Sequence, residues 1–295
     1  MIKELKACAD YFHFINLLYE SGCCEVTSQG EEDIDNLFSQ EEKDRVISAV
    51  FARQITAGKP DFEAYRLISN KLTEAIEVGM SFSFEAVNPA REILRMAEDL
   101  RDNVFIFSGA KTHQEALEMS LNLLDPLGNP RSFTQFKEIA GKIFDRFRNQ
   151  WLKTEFVTAE RMSEGAANWM SIQDEKDIFP SLQYQTIGDA RVRPEHMVLN
   201  KITRPVDDAF WDTFFPPNGF RCRCSVTKQL TTRATPLANK KLPELGNLFD
   251  FNVGKKRLIF APEHPFFRVR NRFRALQKTN FGFPFPARQT PRGNI

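Results

Sequence analysis

The sequence predicts an α+β fold: a mainly helical N-terminal half, a long connecting helix, a small turn-rich α+β unit, and a basic extended tail. Three observations carry this. Apolar residues recur at three- and four-residue steps through the first half, as in Tyr65, Ile68, Leu72, Ile76 and Gly79. No proline falls between Pro130 and Pro180, and that interval holds an aromatic stripe of Phe133, Phe136, Ala140, Ile143, Phe147 and Trp151. From residue 180 the period shifts to two, and prolines at 194, 205, 216, 217, 236, 243, 262 and 265 impose loops.

The first helix occupies about residues 1–20 and ends in the stretch from Gly22 to Gly30. Ser39 is placed to cap a helix over 40–57, with Glu42 three residues on. Gly58 and Pro60 stop it and start another that runs to about Gly79. A loop over Ser81–Asn88 leads to Pro89 at a helix start, followed by helices near 90–103 and 111–124. Pro126-Leu127-Gly128-Asn129-Pro130 is the clearest break. Beyond it Ser132 caps one long helix, or two with a bend near Gly165. Short strands are expected at Leu182–Ile187, Arg221–Val226 and Leu258–Phe260. The chain thus divides into a helical region over 1–130, a module over 131–265 and a tail over 266–295.

Hydrophobic residues at 42% and charged residues at 27% describe a chain that folds around a core. The aromatic set is skewed, with 28 Phe against four Tyr and three Trp, and Phe suits helix seams because it has no polar atom to satisfy. The net charge of +1 conceals a division: residues 254–295 hold ten Lys and Arg against Glu263 alone, which leaves 30 basic and 38 acidic residues before them. Such a tail is of the kind that meets nucleic acid or an acidic protein surface. Lys3, Glu4, Lys6 and Asp10 argue against a signal peptide, and no run reaches the ~18 apolar residues a membrane span needs. Five cysteines in a reducing compartment predict no structural disulfide, and adjacent Cys23 and Cys24 read as small apolar residues or free thiols. The nucleophile elbow, the phosphate loop, the dinucleotide fingerprint and the His-Glu-x-x-His helix are all missing from the sequence. His13 and His113 lie in helical context without catalytic neighbours.

The densest pattern is Pro216-Pro217-Asn218-Gly219-Phe220-Arg221-Cys222-Arg223-Cys224. Its prolines fix φ, Gly219 permits a reversal, and an extended continuation sends both sulfurs to one face and both guanidiniums to the other. Upstream lie Asp189-Ala190-Arg191-Val192-Arg193-Pro194-Glu195-His196 and Arg204-Pro205-Val206-Asp207-Asp208-Ala209-Phe210-Trp211. In this order the pieces resemble the phage head-morphogenesis family, the Mu F-like minor head proteins. The resemblance reaches back through Trp151–Phe156, Thr158–Met162 and Ala167-Asn168-Trp169, and forward to Phe251–Gly254 and His264-Pro265. It covers roughly residues 130–265 and departs from the family at Phe220, where Trp is expected. It implies a non-enzymatic minor head protein of the virion, associated with the portal inside the capsid and acting in head morphogenesis or passage of the genome. The implied partners are portal and other head proteins and packaged double-stranded DNA, with neither a membrane nor a small-molecule substrate, and no cofactor is expected.

Two other chemistries are written in the same residues. His196, Cys222 and Cys224 supply donors suited to zinc, with Asp189, Asp207 or His264 as a fourth ligand. The opposing reading packs the cysteines in a small core with His196 bonded to a carbonyl or an Asp, and the incomplete ligand count favours it. Asp207 and Asp208, with Asp189 and His196, would make a metal-dependent hydrolase, a nuclease or a toxin-like effector if they shared one site. Set against that, Asp208 stands where a helix cap is wanted, and Arg191, Arg193, Arg221 or Arg223 offers a bidentate ion pair to Asp207 or Asp208. In the tail, Arg268, Arg270, Arg272 and Arg274 alternate with Phe267, Val269 and Phe273, so an extended ribbon would aim four guanidiniums at phosphates. Pro284, Pro286 and Pro291 predict an extended, mobile end.

Overall fold

The computed structural model describes residues 2–20, 28–86 and 90–289, with backbone alone for residues 2–9, 20 and 29. Cys23, Cys24, Asn88 and Pro89 lie outside them. Helix α1 (Ile2–Glu20) and the short α2 (Gln29–Glu32) precede α3 (Gln40–Phe51), α4 (Phe62–Met80) and α5 (Arg91–Leu121). Ser39 caps α3 by accepting from the Glu42 N–H at 3.1 Å, as its position predicts. The helix stops at Phe51 rather than 57, because Arg53 turns left-handed at φ 58° and Thr56 bridges back to Lys59. In α4, Tyr65, Ile68, Leu72 and Ile76 are all buried. At Gly79 a Cβ would stand 2.2 Å from the Glu160 carbonyl oxygen, so glycine lets two helix backbones meet.

One uninterrupted α5 replaces the two helices expected over 90–124. Gly109 sits in its interior, where a Cβ would lie 2.2 Å from Asn280 Oδ1; the glycine makes room for the returning tail instead of breaking the helix. The break at 126–130 is a turn in which the Asp125 carboxylate accepts from the Leu127 and Asn129 N–H groups, each at 2.8 Å. Ser132 and Gln135 then form a capping box that opens α6 (Phe133–Asp145). A single π turn over Arg146–Gln150 joins α6 to α7 (Trp151–Glu175), which passes through Gly165 unbroken. The discontinuity therefore falls some fifteen residues before the glycine, where the wide turn carries Arg148 inward. Its fully buried guanidinium donates to Glu115 at 2.8 Å and to Asp61 at 3.1 Å.

The sheet has three antiparallel strands in the order β2–β1–β3: β1 (Ser181–Gln185), β2 (Thr203–Pro205) and β3 (Ser225–Gln229). Leu182 pairs with Arg204 on one side and Lys228 on the other. Strand β1 matches the expected alternation, with Leu182 and Tyr184 buried. Leu258–Phe260 is not a strand. Its backbone is satisfied by a side chain, since Asn103 Oδ1 accepts from the Ile259 and Phe260 N–H groups and Asn103 Nδ2 donates to the Phe260 carbonyl. The third strand is β2, whose three residues are too few to show a period.

Short helices α8 (Pro194–Leu199), α9 (Phe210–Phe214) and α10 (Val253–Lys256) surround the sheet, and α11 (Arg274–Lys278) lies in the tail. Buried side chains from Phe12 to Phe283 share one large core, in which Phe136, Phe147 and Trp151 of the predicted stripe take part. A second core joins Trp169 and Ile172 of α7 to Leu182, Tyr184, Phe210, Trp211 and Phe215. Helix α7 thus carries both, and α4 and α7 pack along their lengths.

The tail is neither a ribbon nor loose over its described length. Residues 265–267 and 271–273 form 3₁₀ turns before α11, which breaks the expected two-sided alternation of Arg268–Arg274. Phe266, Phe281 and Phe283 are buried, and Phe283 stacks on Tyr65 at 4.2 Å between centroids. Arg101 donates to the Ala287 carbonyl at 3.0 Å, Arg288 pairs with Asp99 and Asp102, and the Gln289 N–H reaches Glu98. Residues 290–295, Pro291 among them, lie outside the described part. No helix among the described residues is long and apolar enough to cross a membrane.

Candidate functional site

The proline turn is seated on α7. A Cβ at Gly165 would touch Pro217 Cδ at 3.0 Å and the Pro216 carbonyl at 3.1 Å, so the glycine is the socket for the Pro216-Pro217 pair, joined by a cis bond. Gly254 meets Trp169 in the same way at 2.4 Å, Lys255 lies over the Trp169 ring, and Asn252 both caps α10 and donates to the Trp211 carbonyl. Segments distant in sequence therefore close around one face of one helix. The left-handed residue of the turn is Arg221, at φ 53°, and not Gly219. Gly219 is required for a different reason: the Arg193 guanidinium packs where its side chain would be, 2.4 Å from an added Cβ.

Arg221 ends the extended geometry, so Cys222 to Cys224 form a loop ahead of β3 rather than the strand expected from 221. The two sulfurs still face one way. Cys222 Sγ lies 3.7 Å and Cys224 Sγ 3.6 Å from Nδ1 of His196, which α8 presents from the opposite side. All three donor atoms fall within 4.8 Å of one another, and His196 and Cys222 are buried. The other ring nitrogen, Nε2, donates to the Asn218 carbonyl at 3.2 Å. Asn218 is held in turn, its Oδ1 accepting from Tyr184 at 3.0 Å and its Nδ2 donating to carbonyls of Thr213, Phe215 and Phe249. A hydrogen bond with Cys224 draws the Cys222 thiol well below the ordinary thiol range against the effect of burial, and His196 adds to the shift.

The acids do not assemble. Asp189 takes two bonds of 2.7 Å from Arg223, which hold its carboxyl down at about 2. Asp207 faces Lys176, and Asp208 accepts from Arg204 and from the Phe210 N–H. Asp208 thus serves as the expected cap, and the guanidinium that pairs with it is that of Arg204. Arg221 reaches Glu31 of α2, and Arg191 lies against Asp189 at 3.5 Å. Trp211 is buried and donates through its indole to the Pro205 carbonyl at 3.0 Å. Phe220 is buried, stacks on Tyr19 and meets Phe249 edge-on.

None of the acids proposed as a fourth zinc ligand stands beside the His–Cys–Cys cluster, and His264 belongs to the other core. There it accepts from the Phe266 N–H, and burial lowers its pKa to about 3. His113 is likewise structural: it donates to the Ala57 carbonyl and stacks on Phe281, with its pKa pushed down to about 4 by burial. A cleft of about 200 Å³ opens beside the turn, lined among others by Phe14, Arg193, His196, Gly219, Glu244 and Arg268. Neither cysteine nor any motif aspartate lines it. Sequence reasoning missed the Lys111–Glu155 pair, buried between α5 and α7 with Tyr19 donating to Glu155 at 2.7 Å. A charged residue inside a helix carries no local sign of which face it takes.

The convergent pieces around α7 have counterparts elsewhere. A family described as Phage Mu protein F like protein matches residues 133–227, the segment from α6 into β3. Over these residues the chain is similar to the Mu F-like phage head proteins. Within the curated relatives, "Putative capsid assembly protein F" of Escherichia phage Mu is 39% identical over 75 residues, and "Mu-like prophage FluMu F protein" of Haemophilus influenzae is 33% identical over 75 residues. Each alignment covers 25% of this chain and 17% of the relative. No solved structure matches the chain. The Mu F-like segment includes α6, α7, β1, β2 and the cysteine loop; the α10 contacts and the tail lie beyond it.

Proposed function

We propose that the chain is a minor head protein of a phage or prophage, acting in capsid assembly as a non-enzymatic docking scaffold. The observation that carries this is the Mu F-like segment itself, aligned with a relative named for capsid assembly. The geometry supports it in a specific way. The three aspartates of the motif each pair with a cation, Asp189 with Arg223, Asp207 with Lys176 and Asp208 with Arg204, so these carboxylates brace loops rather than converge on one hydrolytic metal. With the proline turn seated on α7, the result is a stiff surface of fixed shape.

The scaffold binds the portal protein and other head proteins inside the capsid, and is carried in the virion. Exposed apolar side chains on α1, Phe14 and Leu17, give it a contact face beside the cleft. Double-stranded DNA is a second partner of the exposed Arg268, Arg272 and Arg274, which keep their charge accessible although the ribbon geometry is gone. Co-expression of the full chain with a portal protein from its own gene neighbourhood tests the reading. Co-purification of the two as a defined complex is expected, and their separation under gentle, low-salt conditions would overturn portal association.

A further inference from the structure

We infer that His196 Nδ1, Cys222 Sγ and Cys224 Sγ form a zinc site that staples α8 to the loop between the proline turn and β3. Such a site bears on what holds the module together and is independent of the assembly role. Zinc–sulfur bonds of about 2.3 Å and zinc–nitrogen bonds of about 2.0–2.1 Å, opened at a tetrahedral angle, set nitrogen and sulfur about 3.6 Å apart. The two observed separations are 3.7 and 3.6 Å.

The orientation of the ring points the same way. Because the Asn218 carbonyl can only accept, Nε2 carries the proton and the lone pair of Nδ1 faces the sulfurs. This is the arrangement of a ligating imidazole whose outer nitrogen is fixed by a backbone carbonyl. Asn218 is itself immobilised by Tyr184 and three backbone carbonyls, so the ligand is set before any metal arrives. On binding, two S–H bonds break and two zinc–sulfur bonds form, with both protons released to solvent. The divalent ion and two thiolates then cancel in charge, and burial leaves no net charge to solvate. Three protein donors leave the fourth position to water or another small exogenous donor, entering from the half-buried Cys224 side. Softer thiolate and imidazole donors select zinc over magnesium or calcium.

The test uses the untagged full chain from zinc-supplemented cells, purified with reductant and without chelator. Elemental analysis is expected to find zinc in stoichiometric amount, lost in Cys222→Ser, Cys224→Ser and His196→Asn. Should those variants fail to fold, wild-type protein answers alone. Alkylation read by peptide mass spectrometry is expected to spare Cys224 until a strong chelator is added, and cobalt loading is expected to give the absorption of a tetrahedral thiolate complex. Zinc well below stoichiometry, Cys224 reactivity indifferent to chelator, or a Cys222–Cys224 disulfide in protein isolated without reductant would each overturn the assignment.

Discussion

Replacing Lys111 by Met leaves the carboxyl of Glu155 without its cation in a site where both side chains are essentially inaccessible to water. The methionine keeps the length and apolar stem of the lysine, so the loss is chiefly of charge. Removing one member of a buried pair costs about 3–5 kcal/mol, because the remaining ion is neither solvated nor compensated. At about 2–4 °C per kcal/mol for large domains, the melting temperature falls by about 6–20 °C. The deficit also depends on pH. Burial already raises the Glu155 carboxyl above its ordinary 4.5, and Lys111 is the largest influence opposing that rise. Without the lysine the folded-state value climbs further, so Glu155 holds its proton in folded and unfolded chains alike only in acid. The variant's penalty is therefore smallest below the ordinary carboxylate value and grows as pH rises towards the folded one. Urea unfolding at a series of pH values between about 4 and 8 reads this directly. The double variant Lys111→Met/Glu155→Leu removes both charges, and Tyr19 keeps His264 Nε2 at 3.4 Å as a partner; recovery of most of the loss is expected. A Lys111→Met deficit under about 1 kcal/mol, flat across the pH series, would refute the buried-pair argument.

Asn103→Ala strands the Ile259 and Phe260 N–H groups and the Phe260 carbonyl, at about 1–3 kcal/mol for each buried group left unpaired, and a loss of at least about 3 kcal/mol is expected from denaturant unfolding. Asp189, held at about 2 by Arg223, contributes stability above its ordinary 3.8 that is lost as pH falls through 2; a carboxyl NMR titration is expected to show this midpoint, and Arg223→Gln to raise it towards 3.8. Neutralising Arg268, Arg272 and Arg274 together as Gln is expected to weaken double-stranded DNA binding and to flatten the log affinity–log salt slope by about 0.9 for each phosphate no longer neutralised. Charge substitution is the proper probe here, since deleting 266–295 would remove the buried rings of Phe266, Phe281 and Phe283.

The parts legible in the sequence are those set by local physics. Ser39 and Ser132 cap their helices, the Tyr65–Ile76 stripe faces inward, and Leu182 and Tyr184 point into the second core. The motif residues around Pro216 also lie together. What could not be read depends on packing across the fold. The gap expected between helices near 103 and 111 closes because Gly109 gives Asn280 the space it needs, and Leu258–Phe260 looks like a strand until Asn103 supplies its hydrogen bonds. Arginines spaced for pairing in an extended chain choose other partners once Arg221 turns left-handed. His196 stands 26 residues from Cys222, and nothing local announces that Nδ1 will meet both sulfurs.

Mass spectrometry of purified heads, with the chain quantified against the portal protein, tests the assembly role most directly. The chain is expected in mature heads at low copy, and deletion of its gene is expected to give misassembled heads. Complete, infectious particles that lack it would contradict a role in assembly.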